Sequence, residues 1–97
     1  MAGRQQRVKF ANVWNALEDT PGQAANMTMR SDLLIALRQQ IGTWKVTQAQ
    51  AARRLQVTQP QLNDLLRGRI SKFSLDALIE LADRAGIHVR LRIDKAA

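Results

Sequence analysis

The chain has 97 residues, the length of one small domain, and 45% of them are hydrophobic, which is enough for a single packed core. It contains no cysteine, so disulfides and thiolate metal sites are excluded and a reducing cytoplasm is the expected location. The net charge of +7 favours a polyanionic partner, either nucleic acid or an anionic membrane. No apolar run is long enough to span a membrane, and the polar, basic residues 1–9 are not expected to act as a secretory signal.

The positive charge is concentrated in residues 45–72. This stretch holds six basic residues against a single acidic one, a local charge of +5. A solvated charged surface would give the same pattern, so charge alone does not decide between nucleic acid and membrane.

Residues 1–19 are predicted to form an N-terminal extension, with a disordered basic start followed by a short amphipathic helix. Phe10, Trp14 and Leu17 recur at the helical spacing. Thr20 then starts a second helical stretch, with proline at the next position and a glutamine where a capping box requires it. This stretch is either one helix or two with a break around residues 28–31, and Gly42 is expected to end it.

Two short helices in succession are predicted after residue 46. Thr47 caps the first, with Gln50 as its capping-box partner. Thr58 caps the second, with Gln61 in the same role, so only a three-residue turn separates the helices. The second helix is expected to run to about residue 67, where Gly68 ends it.

Helical geometry divides the second of these helices into two faces. Leu62, Leu65 and Leu66 fall on one side and are expected in the core. Its opposite face is polar and free to interact, and it carries Pro60, Asn63, Asp64 and Arg67.

A further helix is predicted from Ser74 to the glycine at position 86, with four inward residues: Leu75, Leu78, Ile79 and Ala82. The period then changes to two over residues 87–93, which indicates a half-buried strand whose apolar face is formed by Ile87, Val89, Leu91 and Ile93. Apart from a weak candidate at residues 7–10, the chain offers this strand no partner. We therefore expect it to pair antiparallel with its copy in a homodimer.

These elements predict a mainly α fold, a compact helical bundle with a helix-turn-helix and a C-terminal β-strand for dimer pairing. Residues 20–97 form the predicted domain. The stretch 46–68 reads VTQAQAARRLQVTQPQLNDLLRG and closely resembles the XRE, or lambda-repressor-like, helix-turn-helix family. Residues 12–21 (NVWNALEDTP) and 24–27 (AANM) extend the resemblance to the HigA-like antitoxin branch, so that it covers roughly residues 10–93.

The resemblance implies a transcriptional regulator that represses its own operon and neutralises a co-encoded RelE/HigB-like ribonuclease toxin. It also implies double-stranded DNA as partner, with an operator that we expect to be palindromic. One position departs from the pattern, because Gln56 stands where most relatives have glycine. A left-handed backbone at a non-glycine residue is strained by on the order of 1 kcal/mol.

In such folds the second helix of the pair enters the major groove. Gln59 and Asn63 are the leading base-reading candidates, because an amide can bind adenine through paired donor and acceptor groups. Gln61 either reads a base or is used in its capping box. Asp64 either accepts from a cytosine amino group or pairs with Arg67.

The predicted contacts to the DNA backbone are Gln48, Thr47, Thr58, Arg67, Arg69 and Lys72. Gln48 also has a purely structural alternative as a capping residue. Arg53 and Arg54 are interpreted as solvated surface, and the polar residues that alternate along the predicted strand as solvent-exposed. Phe10, Trp14 and Leu17 either cap the bundle or contact a toxin.

The sequence does not predict an enzyme, since it has no nucleophile with a base partner, no paired carboxylates, no glycine-rich phosphate loop and no metal-ligand set. No cofactor is expected. Two alternatives stay open beside the antitoxin. One is a phage or mobile-element repressor without a toxin, and the other is a protein-interaction module with only non-specific DNA affinity.

Overall fold

The computed structural model describes residues 20–95, and the fold is mainly helical as predicted. Within these residues, four α-helices and one short 3₁₀ helix follow one another. Their bounds are Pro21–Trp44 for α1, Gln48–Leu55 for α2, Gln59–Leu66 for α3, Ile70–Lys72 for the 3₁₀ helix and Leu75–Arg84 for α4.

The first helix, α1, is continuous over 24 residues, without a break around residues 28–31. Its predicted start is confirmed, because the Thr20 hydroxyl accepts from the Gln23 N–H at 3.1 Å and the Gln23 side chain accepts from the Thr20 N–H at 2.9 Å. The prediction that Gly42 ends this helix is wrong. The helix continues for another half turn because Trp44 packs against the core, and Lys45 then takes the left-handed conformation with φ 55°.

One core lies between the four α-helices, and α1 packs lengthwise against α4. Leu34, Leu37 and Ile41 are the buried residues of α1, whereas residues 21–29 at its start are all exposed. The buried side chains of the other elements are Ala51, Ala52, Leu55, Leu62, Leu65, Phe73, Leu78, Leu81, Ala82 and Ala85.

The predicted inner face of α4 is partly wrong. Ile79 is 40% exposed, and Leu81 is buried instead. The buried positions 78, 81, 82 and 85 follow the three- and four-residue spacing of one helical stripe, from which position 79 is rotated away.

Residues 87–95 follow α4 without regular secondary structure, so the predicted strand 87–93 is not formed within the described chain. No main-chain hydrogen bond joins residues 88–95 to any described residue. The physical reason is that a strand requires a partner, and the part of the chain between residues 20 and 95 supplies none. The alternative partner at residues 7–10 and the short N-terminal helix lie outside the described residues.

None of the helices that the structure describes is long and apolar enough to cross a membrane.

Candidate nucleic-acid interface

Two capping boxes set the starts of α2 and α3. The Thr47 hydroxyl accepts from the Gln50 N–H at 3.1 Å, and the Gln50 side chain accepts from the Thr47 N–H at 3.0 Å. Thr58 and Gln61 form the same pair of bonds at 3.2 and 2.9 Å. Each box satisfies N–H groups that a helix start leaves without partners, so both predicted helix starts are confirmed.

Gln56 reverses the chain between α2 and α3 in the left-handed conformation, with φ 59° and ψ 43°. The N–H of Gln56 donates to the Arg53 carbonyl at 3.1 Å, and the Val57 N–H donates to the Ala52 carbonyl at 3.0 Å. Val57 packs against the core immediately before α3. The predicted turn is therefore present, with the backbone strain that was expected of a residue other than glycine.

The polar side of α3 presents three amide side chains. Gln59 and Gln61 are exposed, and Asn63 is half-buried. No hydrogen bond joins the side chains of Gln59 or Asn63 to other described residues. Gln61 uses one lone pair of its side-chain oxygen in the capping box, whereas its amide nitrogen has no partner among the described residues and can donate to a ligand. The predicted structural role of Gln61 is thus observed.

Asp64 pairs with Arg69 and not with Arg67. The Arg69 Nε lies 3.8 Å from the Asp64 Oδ1, and the Arg69 N–H donates to the Asp64 carbonyl at 3.0 Å. Gly68 explains the difference, because its left-handed conformation, with φ 73°, folds the chain back beside α3. The predicted Asp64–Arg67 pair is replaced by this contact from the following loop.

A basic loop formed by residues 67–72 follows α3, and its Arg67, Arg69 and Lys72 are exposed. The 3₁₀ helix in this loop was not predicted from the sequence. Arg30 of α1 holds it in place, donating to the Ile70 carbonyl at 3.4 Å and to the Phe73 carbonyl at 3.3 Å.

Arg30 is a residue that the sequence analysis missed. Its Nε also donates to the Asn26 Oδ1 at 2.8 Å, which fixes the guanidinium on α1. The sequence does show Asn26 four residues before Arg30, a spacing that places the two side chains on one face of a helix. The carbonyl partners of Arg30 lie 40 and 43 residues away, and no local pattern predicts them.

Arg54 is exposed as predicted, but it also covers Trp44. Its guanidinium lies 4.0 Å from the ring centroid, in a cation–π contact that joins α2 to the end of α1. Arg53 beside it is exposed as well. Arg54 therefore has a structural contact, whereas Arg53 is simply exposed.

The predicted backbone-contact residues Thr47, Gln48 and Thr58 are also exposed, at the starts of α2 and α3. Phe10, Trp14 and Leu17, the candidate toxin contacts, lie outside the described residues. Within residues 20–95 no group of His, Asp and Glu side chains is arranged to hold a metal ion.

Comparisons with known proteins agree with this geometry. The family model described as helix-turn-helix domain matches residues 16–94. A solved structure titled "Putative XRE Family Transcriptional Regulator" is similar with a TM-score of 0.70 and 29% sequence identity, covering 75% of this chain and 82% of that chain. Comparison with curated proteins gives no significant match. The chain belongs to the helix-turn-helix domain family, and its fold is of the XRE type.

Proposed function

We propose that the protein is a sequence-specific DNA-binding transcriptional regulator that inserts α3 into the major groove. The observation that carries the proposal is the exposed amide of Gln59 at the capped start of α3, directly after the tight turn at Gln56. In helix-turn-helix proteins the N-terminal residues of the second helix contact base edges. The local excess of positive charge supports a polyanionic partner for this surface.

The base-reading residues in this proposal are Gln59 and Asn63, whose amides suit the N6 and N7 groups of adenine. Gln61 contributes its amide nitrogen as a donor. Asp64 accepts from a cytosine amino group, and Arg69 beside it offsets its repulsion by phosphate. The proposed contacts to phosphate, which position α3 without specifying sequence, come from Thr47, Gln48, Thr58, Arg67, Arg69 and Lys72.

The experiment is a fluorescence-anisotropy titration of the protein against the promoter DNA upstream of its own gene and a scrambled duplex. We expect the promoter to bind at least ~10³-fold more tightly. Gln59→Ala and Asn63→Ala should narrow this gap, whereas Gln39→Ala, at an exposed position of α1, should not. Equal binding of both duplexes that disappears with added salt would contradict sequence-specific regulation and leave only electrostatic attraction.

We further propose that the regulator is a cytoplasmic homodimer, and that it is the antitoxin and autorepressor of a toxin–antitoxin operon. Residues 12–21 and 24–27 support the antitoxin role, since they carry the resemblance to HigA-like antitoxins. The exposed start of α1 also supports it, because Met27 there is 42% exposed. A phage repressor without a toxin and a pure protein-interaction module are the alternatives.

The antitoxin proposal is tested with the product of the neighbouring gene. We expect a RelE/HigB-like ribonuclease to co-purify with the protein and to be inhibited by it. Trp14→Ala should weaken the complex while promoter binding is retained, because Trp14 lies outside the helix-turn-helix. A neighbouring gene without a ribonuclease, or inhibition unaffected by all three of Phe10→Ala, Trp14→Ala and Leu17→Ala, would count against a toxin contact in this segment.

A further inference from the structure

An apolar groove lies on the molecule between the first half of α1, the first half of α4 and the tail that follows α4. It has a volume of about 610 Å³ and is lined by Met29, Asp32, Leu33, Leu75, Ile79 and the tail residues 87–92, so charged groups stand beside the apolar ones. Four of the exposed large hydrophobic side chains of the described chain lie on this one groove, namely Met29, Ile79, Val89 and Leu91. Exposed apolar side chains that cluster in one groove make it a candidate contact surface.

The tail beside the groove has unused pairing capacity. Leu91 is 79% exposed and Ile93 is 81% exposed, although both belong to the apolar half of an alternating pattern. The main chain of residues 88–95 forms no hydrogen bond with any described residue. A segment with unpaired main-chain groups and alternating apolar side chains is a template for pairing with another strand.

We propose that a second copy of this chain occupies the groove. The tails of the two copies pair antiparallel about a two-fold axis, and each places its apolar side chains over the groove of the other. The proposal deepens the homodimer of the proposed function by naming its interface. None of the proposed DNA contacts lines this groove, so pairing leaves α3 and the basic loop of both copies accessible.

Charge complementarity favours a particular register. When Arg90 of one copy lies opposite Asp94 of the other, Leu91 lies opposite Ile93, and the two copies of Arg92 meet at the axis. Opposite charges and apolar pairs that face each other across strands are both stabilising. Each Arg92 also has Asp94 of its own chain at 3.2 Å, which offsets the repulsion between the two arginines.

The first test is sedimentation of the full-length protein at micromolar concentration. We expect a dimer for the wild type and a monomer for Val89→Glu, which puts a charge in the groove. Val46→Glu is the matched control, because Val46 is 43% exposed, Val89 is 45% exposed, and only Val89 lines the groove. Circular dichroism establishes that both variants are folded. A monomeric wild type would overturn the proposal and point to residues 1–19 of the same chain as the occupant, and a monomeric, folded V46E would overturn it as well.

The second test uses the absence of cysteine from the sequence. Residues directly opposite in an antiparallel pair have Cα atoms about 4.5–5.5 Å apart, within the range that a disulfide spans. The R92C variant should therefore form a disulfide-linked dimer on mild oxidation. The S71C variant, exposed on the 3₁₀ helix away from the groove, should not. Equal crosslinking of the two variants, or none in R92C, would overturn the proposed pairing.

The promoter titration separates this proposal from the DNA-binding function. A monomer that still discriminates the promoter from the scrambled duplex would disprove the interface and leave the regulator intact. A dimer that fails to discriminate would disprove the regulator and leave the interface intact.

Discussion

Gln56 carries the main backbone strain of the helix-turn-helix. Its φ of 59° is the conformation that glycine adopts at little cost, and the Cβ of any other residue destabilises it by on the order of 1 kcal/mol. The hydrogen bonds of the Gln56 and Val57 N–H groups and the packing of Val57 hold the turn in place despite this strain.

Replacing Gln56 by glycine should stabilise the domain. Removing the Cβ relieves the left-handed strain, so Gln56→Gly is expected to raise the free energy of unfolding by up to about 1 kcal/mol and to raise the melting temperature. The side chain of Gln56 is exposed and is not among the proposed DNA contacts, so promoter preference should stay unchanged.

Gln39→Gly supplies the control for this measurement. Gln39 is exposed in the interior of α1, where glycine lowers helix stability by about 1 kcal/mol. Thermal and chemical denaturation should therefore move the two glycine variants in opposite directions. A lower melting temperature for Gln56→Gly would show that the turn gains more from its side chain than it loses in strain.

Single residues differ in how far the sequence predicts them. The left-handed conformation at Gln56 follows from two capping signals that leave only three residues for the turn. The left-handed conformation of Lys45 could not be predicted in this way, because Gly42 is an earlier candidate for the end of α1. The helix continues past Gly42 because Trp44 packs against the core, which the sequence does not show. The Asp64–Arg69 pair depends in the same way on the path of the chain through Gly68.

The start of α3 is held by a capping box, as are the starts of α1 and α2. Thr58→Ala removes the hydroxyl that accepts from the Gln61 N–H and should destabilise the protein by about 1 kcal/mol. Promoter affinity should fall too, since the frayed start of α3 carries Gln59. Thr58→Ser keeps a hydroxyl and should behave nearly as the wild type in denaturation and anisotropy measurements. An alanine variant as stable as the serine variant would show that the Thr58 hydroxyl does not stabilise α3.

The position of the 3₁₀ helix depends on Arg30. Arg30→Ala removes the donors to the Ile70 and Phe73 carbonyls, and the basic loop that carries Arg69 and Lys72 should become less ordered. Because phosphate contacts do not depend on sequence, we expect promoter and scrambled DNA to lose affinity by the same factor of a few.

Arg53→Ala is the matched control for that change, since it removes the same charge from an exposed position of α2. Its effect on affinity should be smaller than that of Arg30→Ala. Equal effects of both variants would mean that Arg30 acts only through its charge, and a selective loss for the promoter would mean that it affects the position of α3.

The helix starts at Thr20, Thr47 and Thr58 can be predicted from the sequence because each capping box involves only a threonine and the glutamine three residues after it. The 3₁₀ helix was missed because Arg30, which holds it, lies about forty residues earlier. The predicted strand is absent from the described residues of the single chain for a related reason. An alternating pattern gives the faces of a strand but not its partner, and residues 20–95 of a single chain contain none.

The folded bundle separates a buried core from two exposed surfaces. The core uses the inner faces of all four α-helices, α3 and the basic loop present polar and charged groups, and the groove beside the tail presents apolar ones. Because the proposed DNA and dimer contacts lie on different elements, substitutions at one surface are expected to spare the other. DNA affinity in a dimer then depends on the phosphate contacts of both copies.

The salt dependence of DNA binding measures those contacts. Each phosphate neutralised by a lysine or arginine releases counterions, so the logarithm of the binding constant falls linearly with the logarithm of salt concentration. Lys72→Gln should reduce that slope by about one for each copy of the chain that is bound, on promoter and scrambled DNA alike. Lys95→Gln removes the same charge from the exposed tail and should leave the slope unchanged. A slope that responds equally to both substitutions would show that the net charge of +7 acts as a diffuse attraction, without a contact at the basic loop.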